Sequence, residues 1–212
     1  VNRLPLYQDL YLIAHSEAGK LLTHQSSLAL GLAGAVLAAL VLDDRVAVVQ
    51  GRVTVFERDR TGDAIADAMV GLIPPGRDHE DVKFWIKTAA KDIYERTRDD
   101  LVAKGVLAPV TKRRMGMVPY LRYRLTDIAW AVRASSGVRS AAEGWKEPDS
   151  RCAVLCGLVS VLRVEAELYL NQPASRLIDR LRTIADEDSL EAKLVVDLVD
   201  TLVAEAAVAI YR

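Results

Sequence analysis

The chain has 212 residues, of which 51% are hydrophobic and 27% are charged, and its formal net charge is -1. This composition excludes a disordered chain, and the length fits a single domain over residues 1–212. Because the net charge is close to zero, general coating of nucleic acid is also excluded, and a polyanionic partner has to be met by a local basic patch.

The first part of the chain predicts two helices. Apolar residues recur at helical spacing over residues 6–15, and Ser26 or Ser27 is placed to cap a second, strongly apolar helix over residues 28–42. A membrane span needs roughly 20 apolar residues, whereas this uncharged segment is shorter and ends at Asp43. We therefore expect a buried central helix rather than a membrane span.

A β-hairpin and a short helix are predicted next. Strand-forming residues on both sides of Gln50-Gly51 predict a hairpin over residues 45–58. Thr61-Gly62-Asp63 then begins a helix. Asp63 and Asp67 are either a general acid/base or divalent-ion pair, or acids that stabilise the first helical turn. We favour the second interpretation, because no third ligand is near them in the sequence.

The second part of the chain is mainly helical. The clearest amphipathic pattern covers residues 80–104 and ends at Gly105. A second hairpin is predicted over residues 108–124. Further helices are expected over approximately residues 126–134, 149–170, 174–185 and 189–211. The expected fold class is therefore mainly α, with central apolar helices ringed by amphipathic ones and two β-hairpins.

Residues with catalytic chemistry are few and scattered. His15, His24 and His79 lie in different segments, without the spacing of metal ligands. Cys152 and Cys156 lie on one face of an apolar helix, and the first residues lack the pattern of a secretory leader, so we expect reduced, packed thiols in the cytoplasm. Motifs for phosphate-binding loops and nucleophilic serines are absent from the sequence. We therefore expect no catalytic residue, no metal, no cofactor and no enzymatic activity.

A basic stripe is predicted on the helix over residues 80–104. Lys87, Lys91, Tyr94 and Arg98 are spaced so that a continuous helix would present them on one face. A cationic stripe with a phenol fits a site for a phosphate group. It also fits an ordinary solvated face, which the pattern alone favours.

The segment KRRMGMVPYLRYR, residues 112–124, is the most basic part of the chain. It holds five Lys or Arg residues and no acid, with Met, Val, Leu and Tyr between them. It fits an amphipathic arm packed on its own domain, a membrane-surface arm or a nucleic-acid-binding arm. Near an anionic membrane each basic residue would contribute about 1 kcal/mol. Composition does not choose between the last two interpretations.

Five segments in a fixed order carry a family resemblance. They read LYQDLYLIAHSEAGKL, GLAGAVLAALVLDDRV, RTGDAIADAMVGLI, IYERTRDDLVAKGVL and EPDSRCAVLCGLV, and they extend over nearly the whole chain. Together they resemble the Golgi phosphoprotein 3 family, the phosphatidylinositol-4-phosphate-binding peripheral membrane proteins. The chain looks like a bacterial member of the actinobacterial type. The resemblance implies a mostly helical fold with hairpins at its edge.

The resemblance also implies where a lipid would bind. Relatives hold the phosphoinositide headgroup with a Trp, an Arg and two further basic residues, at positions that correspond to His24, Ala33, Lys91 and Tyr94 here. Only Lys91 keeps that chemistry, because alanine cannot bind phosphate, His24 carries at most a partial charge, and Tyr94 can donate one neutral hydrogen bond. The lost guanidinium groups remove charge-assisted bonds of about 1.5–3 kcal/mol each, so weak headgroup specificity is expected.

The prediction of function follows from the resemblance and the basic segment together. We expect a non-enzymatic, cytoplasmic protein, peripherally associated with membranes, that binds anionic phospholipid headgroups of the phosphoinositide type through a depleted pocket. The alternative is a protein-interaction scaffold with a vestigial pocket, which forms a homo-oligomer through the hairpin; nucleic acid is disfavoured as a partner. The predicted headgroup-binding residues are Lys91, His24, Tyr94, Lys87 and Arg98. The predicted membrane or subunit contacts are Lys112, Arg113, Arg114, Met115, Met117, Tyr120, Arg122, Tyr123 and Arg124.

Overall fold

A computed structural model describes residues 3–76, 80–114, 118–187 and 190–210 of the chain. The helices in these residues are α1 (Leu6–Ile13), α2 (Gln25–Leu42), α3 (Ala64–Leu72), α4 (Val82–Ala89), α5 (Ile93–Ala103), α6 (Ala129–Ala142), α7 (Ser150–Leu162), α8 (Ala174–Asp186) and α9 (Leu190–Ile210). A short 3-10 helix covers Glu165–Leu168. Two antiparallel hairpins complete the fold, so the prediction of a mainly α protein with two hairpins is confirmed.

The apolar helix α2 lies at the centre of the fold. It packs against α1, α7 and α9, and it is hydrophobic around its whole circumference, as a fully buried helix has to be. A Cβ on Gly34 would lie 2.2 Å from Cγ2 of Val199 on α9, so this glycine permits the close approach of the two helices. By length and composition α2 could cross a membrane, but 78% of it is buried inside the fold. The prediction of a buried central helix is confirmed.

The start of α2 differs from the prediction. The helix begins at Gln25 with His24 at its N-cap, and no side chain caps it there. The expected caps, Ser26 and Ser27, lie inside the first turn, and their assignment was wrong. The cap of α3 was predicted correctly: Asp63 Oδ1 accepts hydrogen bonds from the backbone N–H of Ile65 (2.8 Å) and of Ala66 (3.2 Å).

The single helix predicted over residues 80–104 is interrupted. Residues 90–92 form a turn between α4 and α5, and Asp92 occupies the N-cap position of the second helix. Asp is a weak helix former that favours this position. Both helices bury their own apolar faces against α2. The periodic pattern of apolar residues therefore continues across the break, and the break is not visible in the sequence. The stripe from Lys87 to Arg98 is therefore not one continuous helical face, and that prediction was wrong.

The boundaries of two further helices were also wrong. The helix expected over residues 149–170 ends at Leu162, where Arg163 adopts a left-handed conformation (φ 56°) and the 3-10 helix follows. Helix α6 begins later and continues further than the expected residues 126–134. Helices α8 and α9 match their predicted ranges to within one residue at each end.

The two hairpins lie at different places in the fold. The first pairs β1 (Val46–Val49) with β2 (Arg52–Val55), and its turn residues Gln50 and Gly51 both have positive φ, as a tight two-residue turn requires. The second pairs β3 (Leu107–Arg114) with β4 (Val118–Leu125) and is called the arm from here on. Strand β1 packs on α2 and α9, whereas β3 packs on α5.

Candidate functional site

A cleft of about 360 Å³ lies where the arm meets the rest of the fold. It is called the arm cleft, and α1, α5, the beginning of α2 and strand β4 supply its lining, which includes Tyr11, His15, Gln25, Tyr94, Arg98, Leu121, Arg122 and Tyr123. Among the described residues that line it, Arg98 and Arg122 carry charge at neutral pH and none is acidic. The arm cleft therefore presents net positive charge.

An aromatic cluster forms one wall of the arm cleft. The rings of Tyr11 and His15 stack at a centroid distance of 4.2 Å, and the ring of Tyr94 lies 5.4 Å from that of Tyr11. Burial lowers the pKa of His15 to about 4, and burial raises the pKa of Tyr11. His15 and Tyr11 are therefore both uncharged near neutral pH.

The hydrogen bonds of His15 fix its tautomer. Nδ1 lies 2.7 Å from the carbonyl oxygen of Tyr11, which can only accept, so the single N–H of the neutral ring is on Nδ1. Nε2 is then an acceptor, and it lies 3.1 Å from the hydroxyl of Tyr94. The one proton that Tyr94 can donate is thus already bonded to His15. The Tyr94 hydroxyl, which was predicted to donate to a lipid headgroup, therefore donates to His15 instead.

Arg98 reaches the arm from helix α5. Its guanidinium carbon lies 4.7 Å from the centre of the Tyr123 ring, and its Nε donates to Oδ1 of Asp99 at 2.9 Å. On the arm itself, Arg122 stacks over Tyr120 at 5.7 Å. Arg98 was predicted to bind a headgroup, and Arg122 and Tyr123 were predicted to lie in the arm. The structure places these three residues beside one another.

The remaining predicted headgroup residues are spread around this end of the molecule. The Gln25 side-chain amide donates to Glu95 at 3.0 Å, which joins the start of α2 to the first turn of α5. His24 directly precedes Gln25, Lys91 lies four residues before Glu95, and both side chains are exposed. Lys87 is different, because its Nζ lies 3.1 Å from Glu205 on α9 and that ion pair offsets its charge. The structure thus places His24, Lys91, Tyr94 and Arg98 at the same end of the fold and directs Lys87 elsewhere.

Ala33, at the position where the resemblance implies an arginine in relatives, is completely buried on α2. Its methyl group contributes to the core and to no surface. The pocket implied by the resemblance is therefore closed at this position as well as uncharged.

Strand β4 orders the arm residues in alternation. Tyr120, Arg122 and Arg124 point to one side of the strand, and Leu121, Tyr123 and Leu125 point to the other. Lys112, Arg113 and Arg114 belong to the paired strand β3. Met115 and Met117 lie outside the described residues. Basic and apolar side chains therefore lie on opposite sides of β4, as in the amphipathic arm that the sequence fits.

Gly19 brings the base of the arm close to the loop after α1. Its φ is +70°, and a Cβ there would lie 1.9 Å from the carbonyl oxygen of Tyr123. The backbone of β4 therefore lies directly against the loop, and Gly19 is one of the residues that line the arm cleft. Sequence reasoning missed both this contact and the part played by Tyr11 and His15. The four-residue spacing of Tyr11 and His15, in a segment predicted to be helical, was a usable signal for the latter.

Two other large clefts differ in charge from the arm cleft. One, of about 350 Å³, is lined by the cations Arg3, Arg133 and Lys146 and the acids Asp9, Glu147 and Asp149. Another, of about 820 Å³, is lined by Arg3, Arg96 and Lys104 together with Asp63, Asp99 and Asp100. Cations and acids are equal in number in both. The arm cleft differs from them because its described lining contains cations and no acid, although Asp99 beside it pairs with Arg98 at 2.8 Å.

These features define a class of protein: helices around a buried apolar helix, with a basic hairpin and a cationic cleft at one end. The chain belongs to the Golgi phosphoprotein 3 family, whose model matches residues 6–205. A comparison with curated proteins gives no match. The family to which the sequence segments pointed is confirmed. Membership is consistent with a lipid-binding or membrane-associated role.

Proposed function

We propose that the protein is a non-enzymatic, cytoplasmic, single-domain protein that associates peripherally with membranes by binding anionic lipid headgroups, phosphoinositides included. The observation that supports this most strongly is the arm cleft, whose charged lining residues are Arg98 and Arg122. Family membership supports the lipid-binding part. The phosphate of a lipid headgroup would lie between these two guanidinium groups.

Arginine suits this role. Its planar guanidinium group donates several hydrogen bonds in a geometry that matches phosphate oxygens, and such charge-assisted bonds are about twice as strong as neutral ones. Lys91 and His24 are exposed at the same end of the fold and would contact further headgroups. Because Ala33 is buried and Tyr94 donates to His15, the site recognises negative charge more than one particular headgroup.

The arm would add attraction that does not depend on headgroup identity. Arg122 and Arg124 lie on one side of β4 with Tyr120, and Leu121 on the other side is 61% exposed. Each basic residue near an anionic bilayer contributes about 1 kcal/mol, and Tyr is a favoured residue at the membrane–water interface. The arm therefore supplies charge and apolar contact in one short hairpin.

Co-sedimentation with vesicles tests the proposal. Vesicles of phosphatidylcholine alone, with phosphatidylserine, or with phosphatidylinositol 4-phosphate at matched total charge would be mixed with wild type and with the variant Arg122→Glu/Arg124→Glu. The control variant Arg52→Glu/Arg60→Glu makes the same charge change at two exposed residues in and after the first hairpin. We expect both anionic vesicles to retain wild type, the arm variant to bind at least about tenfold more weakly, and the control to resemble wild type.

The outcomes separate the two candidate functions. Absence of wild-type binding to every anionic vesicle at low salt would overturn the proposal. If the arm variant changes the oligomeric state measured by light scattering while vesicle binding is absent throughout, the self-association scaffold is the correct function. Stronger retention by phosphatidylinositol 4-phosphate than by phosphatidylserine at equal charge would show that headgroup specificity survives the loss of two family guanidinium groups.

A further inference from the structure

A second shallow cleft adjoins the arm cleft. It has a volume of about 160 Å³ and lies between the end of α1 and the outer side of α6, with Ile128, Val132, Arg139 and Tyr169 among its lining residues. Leu12 and His15 line both clefts, so the two form one continuous surface. No role for α6 or for Tyr169 was predicted from the sequence.

Large apolar side chains are exposed along this surface. Leu121 on β4 is 61% exposed and Tyr169 is 66% exposed. Ile128 at the N-cap of α6 and Val132 within α6 are 53% and 51% exposed. These four residues are called the apolar face. Ile128 and Val132 are one helical turn apart, which places them side by side. A cluster of this kind at the surface marks a contact with a partner or a membrane.

The charges around the apolar face indicate which partner fits it. Arg98, Arg122 and Arg139 line the two adjoining clefts together with one acid, Glu17. Asp99 beside them pairs with Arg98 at 2.8 Å, which leaves a cationic excess. His15 between them is uncharged near neutral pH because burial lowers its pKa. Helix α6 itself carries Arg133 and Arg139 and no acid, with Asp127 just before it. Two clefts elsewhere have equal numbers of cations and acids, and a third, lined by Glu143, Arg176 and Arg180, has a cationic excess but no large exposed apolar side chain among its described lining residues. Cationic excess and exposed apolar side chains therefore coincide at this end of the fold.

We propose that the apolar face is a second membrane-contact surface, which inserts Leu121, Ile128, Val132 and Tyr169 into the interfacial region of an anionic bilayer beside the arm. Aliphatic and tyrosine side chains enter the headgroup–acyl boundary, while the surrounding arginines meet lipid phosphates. The contact surface of the protein is then a broad area formed by β4, α6 and Tyr169 rather than the arm alone. This inference rests on the proposed lipid-binding function and extends it to residues outside the family's hairpin.

A pair of matched valines provides the test. Val132 is 51% exposed on the apolar face, and Val49 is 58% exposed in the first hairpin, at the opposite end of α2. Val132→Glu and Val49→Glu therefore remove the same side chain and add the same charge. In co-sedimentation with phosphatidylserine/phosphatidylcholine vesicles, we expect Val132→Glu to bind about tenfold more weakly and Val49→Glu to bind like wild type.

A second measurement reports position directly. A polarity-sensitive fluorophore would be attached at Val132→Cys or Val49→Cys, since the native Cys152 and Cys156 are buried. Addition of anionic vesicles is expected to shift the emission to the blue for position 132 and to leave it unchanged for position 49. Circular dichroism and unfolding curves would confirm that both pairs of variants are folded.

Each outcome decides the inference. If wild type and Val132→Glu bind vesicles equally and the two fluorophores respond alike, the apolar face is not a membrane contact, while the proposed function stands. If Val132→Glu keeps vesicle binding but dissociates an oligomer seen by light scattering, the face contacts a second copy of the chain and the inference is overturned. If wild type does not bind vesicles at all, the proposed function fails first and the inference fails with it.

Discussion

The two hairpins of this protein share a backbone design and differ in almost everything else. The first follows the C-terminal end of α2 and is short, and the arm lies near the N-terminal end of the same helix, which is about 27 Å long. Around the first hairpin acids and bases alternate, and Arg45 pairs with Glu57 at 3.6 Å. Residues 107–125 of the arm contain no acid. The same motif therefore closes the core at one end and presents uncompensated positive charge at the other.

The largest difference in stability between changes in the two hairpin regions is expected at two glycines. Both Gly19 and Gly51 have positive φ, but a Cβ on Gly19 would meet the Tyr123 carbonyl, whereas nothing lies within 4 Å of one on Gly51. Gly19→Ala is expected to lower the free energy of unfolding by about 3 kcal/mol, from backbone strain plus the clash with the arm. Gly51→Ala is expected to cost about 1 kcal/mol from strain alone.

Urea unfolding of both variants measures the difference. Gly19→Ala should also weaken vesicle binding, because the base of the arm has to move, and Gly51→Ala should leave binding unchanged. Equal losses of stability in the two variants would show that the loop after α1 does not hold the arm.

The next largest effect is a dependence of folding stability on pH, caused by His15. Burial lowers the pKa of His15 to about 4 from its usual 6.5, so between these values the unfolded state binds more protons than the folded state. Stability from this residue is full above pH 6.5 and is lost as the pH falls toward 4. Between pH 7 and pH 5 the loss is expected to be about 2 kcal/mol.

The measurement compares wild type with His15→Phe, which keeps a ring in the stack. Asp9, whose pKa burial raises to about 6, acts in the opposite direction in the same range, so the difference between the two proteins is the informative quantity. Unfolding curves at pH 7 and pH 5 should show the wild type losing about 2 kcal/mol more than the variant. Parallel curves would mean that His15 is not buried beside the arm.

A smaller effect is expected at Tyr94. Because its hydroxyl donates to His15, Tyr94→Phe should lower stability by about 1 kcal/mol through the loss of one hydrogen bond. Vesicle binding should stay at the wild-type level, since that proton is not available to a lipid. A variant that is fully stable yet binds vesicles more weakly would assign the hydroxyl to a headgroup instead.

The smallest effect is expected in the first hairpin. Glu57 is about half exposed in its ion pair with Arg45, and exposed pairs contribute about 0.2–1 kcal/mol. Glu57→Gln should therefore change the thermal unfolding midpoint only slightly and leave vesicle binding unchanged. A marked gain in vesicle binding by this variant would remove the functional distinction between the two hairpins.

The sequence predicted most of the architecture because local signals specified it. The buried α2, the Asp63 cap and the turn at Gln50-Gly51 each follow from residues adjacent in the chain. The break at residues 90–92 was missed because α4 and α5 bury matching apolar faces against the same helix. Periodicity records which residues are buried and gives no information on whether the helix axis continues.

The candidate site was predicted less well, because its properties depend on distant contacts. The hydrogen bond between His15 and Tyr94 joins residues 79 positions apart, and it decides which proton Tyr94 can offer. The apolar face combines β4, α6 and Tyr169 and has no signature in any single segment. The arm and Arg98 were each singled out in the sequence because basic residues are visible there, but their position at one end of the molecule was not predicted.

The contact at Gly19 has a consequence for how the sequence can change over evolutionary time. Position 51 needs only a residue that tolerates a left-handed backbone, so asparagine or aspartate can replace glycine there without loss of the turn. Position 19 needs that conformation and also the absence of any side chain, because the Tyr123 carbonyl fills the space. Among relatives that keep the arm in this place, we therefore expect variation at the turn of the first hairpin and an invariant glycine in the loop beneath the arm.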